Sequence, residues 1–290
     1  MGRAPELRAL GVGEILDVSI KVYLKHFLTF VKIAAFVVIP VGILNLLVVI
    51  STLPEGTIAV DGQLRFPSDA GIGEFLAGSV ITAILGAIAG LLATGATFKA
   101  LAEAYLSHPP SAGESLRYAA RRLHSLLWLT ILFSLVVAIG TLLLIIPGIY
   151  LGVSLAVVIP ALMLENLKGG KALRRSYGLV RGRWWPTFGV VILGWFLIPA
   201  IVGGIIGFAF QVALVATVDS PTAVVGLSTL GQVLSSVFTT ALQAAVIVVL
   251  YFDLRVRKEG FDLQLLAERI GGQAPSPMIP GEGGGRGPSS

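Results

Sequence analysis

The chain has 290 residues, of which 55% are hydrophobic and only 13% are charged. Soluble domains carry about a quarter charged residues, so this chain has too few polar side chains to cover a globule of its size. We therefore expect an integral membrane protein. The absence of cysteine excludes disulfides, thiolate metal sites and cysteine nucleophiles. The formal net charge of +5 does not indicate a nucleic-acid partner, because in a membrane protein the placement of charge matters more than its sum.

Six uncharged, apolar segments are long enough to cross a bilayer, whose core of about 30 Å requires about 20 helical residues. Two of them come from a forty-residue run without charge, residues 125–164. Proline cannot continue a helix and glycine permits a turn, so Pro147-Gly148 predicts a tight helical hairpin within this run. The predicted fold is an all-α, six-helix membrane bundle with spans at residues 33–53, 75–98, 125–146, 148–164, 184–210 and 224–252.

The basic residues orient this bundle. If the N-terminus lies inside, the inner segments carry twenty of the twenty-one lysines and arginines, and Arg65 is the exception. Lysine and arginine in short loops collect on the cytoplasmic side of membrane proteins. The pattern therefore predicts a multi-pass protein of the plasma membrane with both termini in the cytoplasm.

Three inner segments resemble one another, at residues 13–16, 113–116 and 170–173, and each opens a short amphipathic stretch. In the first stretch one helical face is apolar and comprises Leu16, Ile20, Tyr23, Leu24 and Phe27. We interpret the pattern as three units, each an interfacial helix followed by two spans, related by an axis along the membrane normal. The alternative is that any cytoplasmic entry segment is basic and amphipathic, so that the likeness arises by chance.

The segments outside the spans are short. Residues 57–60 and 63–66 flank Asp61-Gly62, a strong hairpin signal, and we expect this ribbon to lie against the bundle. After the sixth span, Asp253 and Arg257 have the spacing of a helical ion pair, and Gly260 is a plausible helix stop. A short helix is predicted at residues 263–270, which would end a membrane domain of residues 1–270. The Gly/Pro/Ser-rich tail at residues 271–290 is predicted to be disordered.

Four stretches, at residues 13–27, 146–151, 160–188 and 251–263, resemble the membrane domain associated with glycerophosphoryl diester phosphodiesterases. That group consists of six-span bacterial and archaeal proteins, and in some relatives the membrane domain is joined to a catalytic barrel. Such a barrel requires about 250 residues, and no soluble segment approaches that length. The resemblance implies the six-span fold and, as one functional alternative, an accessory membrane subunit for a separate phosphodiesterase.

The sequence predicts no enzyme, cofactor or metal. Its carboxylates are scattered, no pair of them sits with histidine at ligand spacing, and no phosphate-binding or nucleophile motif is present. No predicted span contains an ionisable residue, which argues against an ion-coupled carrier. The strongest polar groups in the spans are amides, which either form interhelical hydrogen bonds or line the path of an uncoupled transporter: Asn45, Gln211, Gln232 and Gln243.

Small residues form ridges on two spans. They allow close helix packing, either within the bundle or at a dimer interface: Gly78, Gly86 and Gly90 in the second span, and Gly203 and Gly207 in the fifth.

The last candidate site is a set of basic and aromatic residues expected at the inner headgroup level. They could contact anionic lipid headgroups, or they could only set the topology: Arg121, Arg122, Arg174, Arg175, Arg181, Arg183, Trp184 and Trp185.

From these features we expect a non-enzymatic protein that acts in membrane organisation, lipid contact or partner assembly at the inner leaflet. Its expected partners are membrane lipids, anionic lipids among them, together with a membrane-protein partner or a second copy of the chain. The alternatives are an uncoupled or lipid-moving transporter and the accessory subunit named above.

Overall fold

The computed structural model describes residues 8–60, 63–67, 72–106, 108–217 and 220–260. The predicted helix at 263–270 and the tail at 271–290 lie outside these residues. The elements, in chain order, are α1 (Val12–Lys25), α2 (Phe27–Ser51), β1 (Ile58–Val60), β2 (Gln63–Arg65), α3 (Gly73–Tyr105), α4 (Ala112–Arg121), α5 (Leu123–Leu143), α6 (Ile145–Ser154), α7 (Val158–Glu165), α8 (Gly170–Val180), α9 (Trp184–Ile192), a π-helical turn (Leu193–Leu197), α10 (Ile198–Thr217) and α11 (Pro221–Glu259).

Six helical segments are long and apolar enough to cross a membrane: Phe27–Ser51, Gly73–Tyr105, Leu123–Leu143, Ile145–Glu165, Trp184–Leu214 and Pro221–Glu259. The all-α, six-span prediction is confirmed. The helix α3 has 33 residues and α11 has 39, so at 1.5 Å per residue they measure about 50 and 58 Å. Both exceed a core of about 30 Å, and therefore part of each helix extends beyond it.

The hairpin between the third and fourth spans is present, but its predicted turn position is wrong. The chain turns at Leu144, whose backbone is extended (φ −164°, ψ 147°), and α6 begins at the next residue. Pro147 lies in the first turn of α6, where a missing amide hydrogen costs no hydrogen bond. Gly148 allows α6 to pack closely against α5, because a Cβ atom at this position would lie 2.1 Å from Oγ1 of Thr141.

The helix order repeats three times as one short helix followed by two spans: α1 before α2 and α3, α4 before α5 and α6–α7, and α8 before α9–α10 and α11. When the three short helices are aligned on their leading glycines, they bury the same two positions. These positions hold Ile15 and Ser19 in α1, Ser115 and Ala119 in α4, and Ala172 and Ser176 in α8. The order of the helices and the buried positions of the short helices therefore both agree with the predicted three units.

The buried face of α1 differs from the predicted apolar stripe. Ile15, Ser19 and Tyr23 face the protein, whereas Ile20 and Leu24 are exposed. In water an apolar stripe marks the side that faces the core, but helices in membranes pack through small residues and can leave apolar side chains to the lipid. The apolar stripe predicted for α1 therefore contains residues from two different faces, one that packs on the protein and one that is exposed.

The loop between α2 and α3 forms the predicted ribbon. Strands β1 and β2 pair antiparallel, with Val60 opposite Gln63, while Asp61-Gly62 lies outside the described residues. Ala59 is buried with Leu214 of α10 and Val224 of α11. The ribbon is thus packed on the bundle, as expected, at the end where α2 finishes and α11 begins.

We predict that Gly148→Ala lowers the stability of the purified protein by about 1–3 kcal/mol, the usual range for overpacking. The new methyl group would collide with the backbone of Thr141, whose Cα lies 2.8 Å from the Cβ position. Thermal unfolding in detergent measures the effect.

Gly152→Ala is the matched control, because Gly152 lies in the same helix and no described atom lies within 4 Å of its Cβ position. It should leave stability unchanged or raise it slightly through helix propensity. Equal losses for both variants would contradict the packing account.

Candidate functional site

Most of the charged side chains in the described chain gather at one end of the bundle. We call it the polar end and define it as residues 10–25, 99–106, 112–122, 165–183 and 251–260. It contains the three short helices and the C-terminal ends of α3 and α11, where the rings of Tyr105 and Phe252 stack with centroids 5.0 Å apart. The described N-terminal segment and the end of α11 meet here, so both lie on the same side of the bundle.

Asp253 fastens the N-terminal segment to α11. Its side chain is only 4% exposed. One carboxylate oxygen accepts a hydrogen bond from the backbone N–H of Leu10 at 2.7 Å, and both oxygens accept from Nε of Arg257 at 2.9 and 3.0 Å. Arg257 also donates to the carbonyl of Leu10 at 2.7 Å. The predicted Asp253–Arg257 pair is confirmed, as is the helix stop at Gly260, which adopts a left-handed conformation (φ 59°).

A network of two carboxylates, two guanidinium groups and one phenol connects α7, α8 and α11. Arg175 donates from Nε to Glu165 at 2.7 Å and from Nη1 to Glu259. Arg255 donates to Glu259 at 3.0 Å, and the hydroxyl of Tyr251 donates to Glu165 at 2.6 Å. The two positive and two negative charges balance inside this network, so it presents little net charge to a ligand.

The electrostatic effect on Arg175 follows from these contacts. Hydrogen bonds with Glu259 and then Glu165 outweigh the cost of burial and raise the pKa of Arg175 above its usual value. A raised pKa on a basic group means that its stabilising contribution is fully present at neutral pH and is lost only above the ordinary range of arginine titration. Arg175 is therefore a fixed structural cation.

Lys258 closes the end of α8. Its ammonium group donates to the carbonyls of Gly178 at 2.6 Å and Arg181 at 2.5 Å. The last carbonyls of a helix have no partner within the helix, and a cation near them is favourable. The final two turns of α11 thus bind three separate parts of the chain.

The two predicted interfacial tryptophans have different surroundings. Trp184 donates from its indole N–H to the carbonyl of Tyr150 at 3.2 Å, and its ring stacks on Phe188 with centroids 5.0 Å apart. Trp185 is 74% exposed and only touches this cluster edge-on. Trp184 is a packing residue, and Trp185 is the one with a free surface.

The predicted lipid-contact arginines separate in the same way. Arg122 donates to the carbonyl of Leu162 at 3.3 Å and lies over the ring of Tyr118, 4.5 Å from its centroid, and Arg175 belongs to the network above. The other four side chains form no ion pair and donate no hydrogen bond within the described ranges: Arg121, Arg174, Arg181 and Arg183. Arg183 is half-buried, whereas the other three are exposed.

An open cavity of about 320 Å³ lies at the polar end, between the junction of α4 with α5 and the linker from α7 to α8. The linker turns at Asn166, which ends α7 in the left-handed region (φ 56°), a conformation that asparagine tolerates better than most residues. After this turn, Lys168 lines the same cavity as Arg121 and Arg122. The sequence indicated the two arginines but did not predict that they line a cavity with Lys168, because this arrangement depends on the left-handed turn at Asn166.

The four intramembrane amides do not come together at this cavity, since none of them lines it. Asn45 and Gln243 are half-buried, and Gln211 and Gln232 are exposed on the bundle surface. These four amides therefore give no support to a transport path through this cavity.

The predicted glycine ridges are used unevenly. Cβ atoms at Gly78 and Gly203 would lie 3.0 Å from Thr52 and 3.1 Å from Ser235, so both glycines pack between helices. Gly86, Gly90 and Gly207 have no described atom within 4 Å of the Cβ position. Two glycines that the sequence pattern did not single out approach neighbouring helices more closely, because a Cβ atom at Gly95 would lie 2.7 Å from Leu126 and one at Gly194 would lie 2.9 Å from Val246.

Among the described residues, no three histidine, aspartate or glutamate side chains form a group that could hold a metal ion.

The fold and the polar end define the class as a multi-pass α-helical membrane protein. The chain belongs to the family described as a domain of unknown function (DUF7847), which matches residues 69–254. No curated protein and no solved structure gives a significant match. The resemblance to phosphodiesterase-associated membrane domains stays a prediction.

We predict that Arg175→Gln destabilises the protein by about 2 kcal/mol, the usual scale for hydrogen bonds that involve charged groups. The substitution removes the cation that Glu165 and Glu259 share. The midpoint of thermal unfolding in detergent measures this loss.

The adjacent Arg174→Gln is the control, since it removes the same charge from an exposed side chain without a described partner. Its stability should change by less than about 0.5 kcal/mol. If the two variants unfold at the same temperature, the network does not stabilise the polar end.

Proposed function

We propose that the protein is a non-enzymatic component of the plasma membrane, with both termini in the cytoplasm, whose polar end contacts anionic lipids of the inner leaflet. The observation that supports this proposal most is that exposed arginines with no ion-pair or hydrogen-bond partner among the described residues lie near an exposed tryptophan. Arg174 lies in α8 and Arg181 follows its last residue, while Trp185 is the second residue of α9.

The charge distribution supports this orientation. The polar end contains the basic residues of three inner segments, and Arg65 lies on the opposite ribbon. Basic residues collect on the cytoplasmic side of short-looped membrane proteins, and the anionic lipids of that leaflet attract basic side chains near the surface.

Contacts within the protein separate the basic and aromatic residues that have a structural role from those that are exposed. Arg175 and Arg122 are held by protein groups, and Trp184 by Tyr150. The basic residues that remain open to solvent or lipid are those expected to bind headgroups. Trp185 has an apolar ring with one polar N–H, the character that places tryptophan at the membrane–water interface.

We predict that the double variant Arg174→Gln/Arg181→Gln loses retained anionic lipid. Each basic side chain near an anionic surface contributes about 1 kcal/mol, so removal of two should weaken the preference for anionic over zwitterionic lipid about tenfold or more. Mass spectrometry of lipids that copurify from native membranes, or from vesicles of equal phosphatidylglycerol and phosphatidylcholine, measures the ratio.

Arg65→Gln is the control, because it removes a positive charge from the ribbon at the other end of the bundle. It should keep the lipid ratio of the unaltered protein. An unchanged ratio in the double variant, or an equal fall in the control, would contradict lipid contact at α8.

A further inference from the structure

The cavity at the polar end has the character of a binding site for a single anion. Three cationic side chains line it: Arg121 and Arg122 from the α4–α5 junction and Lys168 from the α7–α8 linker. No aspartate or glutamate is among its described lining residues. Like charges that are not neutralised nearby repel one another, so an anion that enters the cavity relieves a repulsion as well as gaining contacts.

The neutral lining supplies directional hydrogen-bonding groups. Ser125 and Asn166 contribute a hydroxyl and a carboxamide, and Tyr118 forms part of the wall. Ser125 lies in the first turn of α5, where the helix dipole is positive. The cavity volume of about 320 Å³ is at the lower end of the range of about 300–1,000 Å³ for small-molecule sites.

The orientation of Arg122 is fixed before any ligand binds. Its Nη1 donates to the carbonyl of Leu162, and its guanidinium lies over the ring of Tyr118, which is itself held by a 2.7 Å hydrogen bond to the carbonyl of Met163. A guanidinium has five N–H donors, so one such contact leaves others for a ligand. A pre-oriented planar fork suits the oxygens of phosphate, which it can bind in bidentate fashion.

We propose that this cavity binds one phosphate group, held by Arg121, Arg122 and Lys168. The phosphate belongs either to the headgroup of an anionic phospholipid or to a free phosphate compound. This site is separate from the surface contact at Arg174 and Arg181, so either proposal can fail without the other.

The test uses the full-length protein in a non-ionic detergent, titrated with inorganic phosphate at constant ionic strength, with isothermal calorimetry as the readout. Arg121→Gln and Lys168→Gln should each weaken binding about tenfold, the loss expected for a charge-assisted contact. Both residues are exposed, so the variants should fold, which size-exclusion chromatography verifies. Arg117→Gln is the matched control, because it is exposed on α4 one turn earlier and does not line the cavity.

A second arm places the same proteins in nanodiscs of phosphatidylcholine with or without phosphatidylglycerol and counts retained phosphatidylglycerol by mass spectrometry. Phosphate binding that depends on Arg121 and Lys168 in the first arm identifies a free phosphate compound as a sufficient ligand. Dependence in the second arm alone identifies a lipid headgroup. If neither arm distinguishes these variants from Arg117→Gln, the cavity is not a phosphate site and the proposal is overturned.

Discussion

Charged groups that are removed from water at the edge of a membrane require partners, and in this structure the last two turns of α11 supply many of them. Asp253 and Arg257 bind the N-terminal segment, Arg255 and Glu259 join the network with Glu165 and Arg175, and Lys258 closes α8. Without these contacts, the segment before α1 and the helices α7 and α8 would have unpaired charges or backbone groups at the polar end. The interior of the bundle is mainly apolar, and apolar packing is less directional than hydrogen bonds and ion pairs. The directional contacts that hold the segment before α1 and the helix α8 against α11 therefore lie at the polar end.

The sequence predicted whatever depends on composition and short-range spacing. The six spans follow from hydropathy, the ribbon from Asp61-Gly62 flanked by two strand-forming segments, and the Asp253–Arg257 pair from helical spacing. Three features depend on contacts far apart in the chain, and the sequence did not give them. The turn at Leu144 accompanies the close approach of Gly148 to Thr141. Ile20 and Leu24 are exposed because α1 packs against the protein through the face that contains Ser19. The role of Arg175 depends on two glutamates that are ten and eighty-four residues away in the chain.

The same distinction decides which basic residues are available for function. A basic cluster in a sequence contains both structural and exposed cations, and adjacent residues such as Arg174 and Arg175 differ completely in their surroundings. Arg121 and Arg122 differ as well, since the second is held by Leu162 and Tyr118 while both line the cavity. The proposed lipid contact therefore uses exposed side chains at α8, the proposed phosphate site uses the cavity, and the paired side chains connect the helices of the polar end.

Single-cysteine accessibility gives the most direct test of this account, and the chain has no native cysteine to interfere. The Arg65→Cys and Arg174→Cys variants are treated in intact cells with a membrane-impermeant maleimide, and again after permeabilisation. The account predicts that the Arg65→Cys variant reacts in intact cells and that the Arg174→Cys variant reacts only once the membrane is opened. The reverse pattern would place the polar end outside the cell and contradict both the proposed orientation and the contact with the inner leaflet.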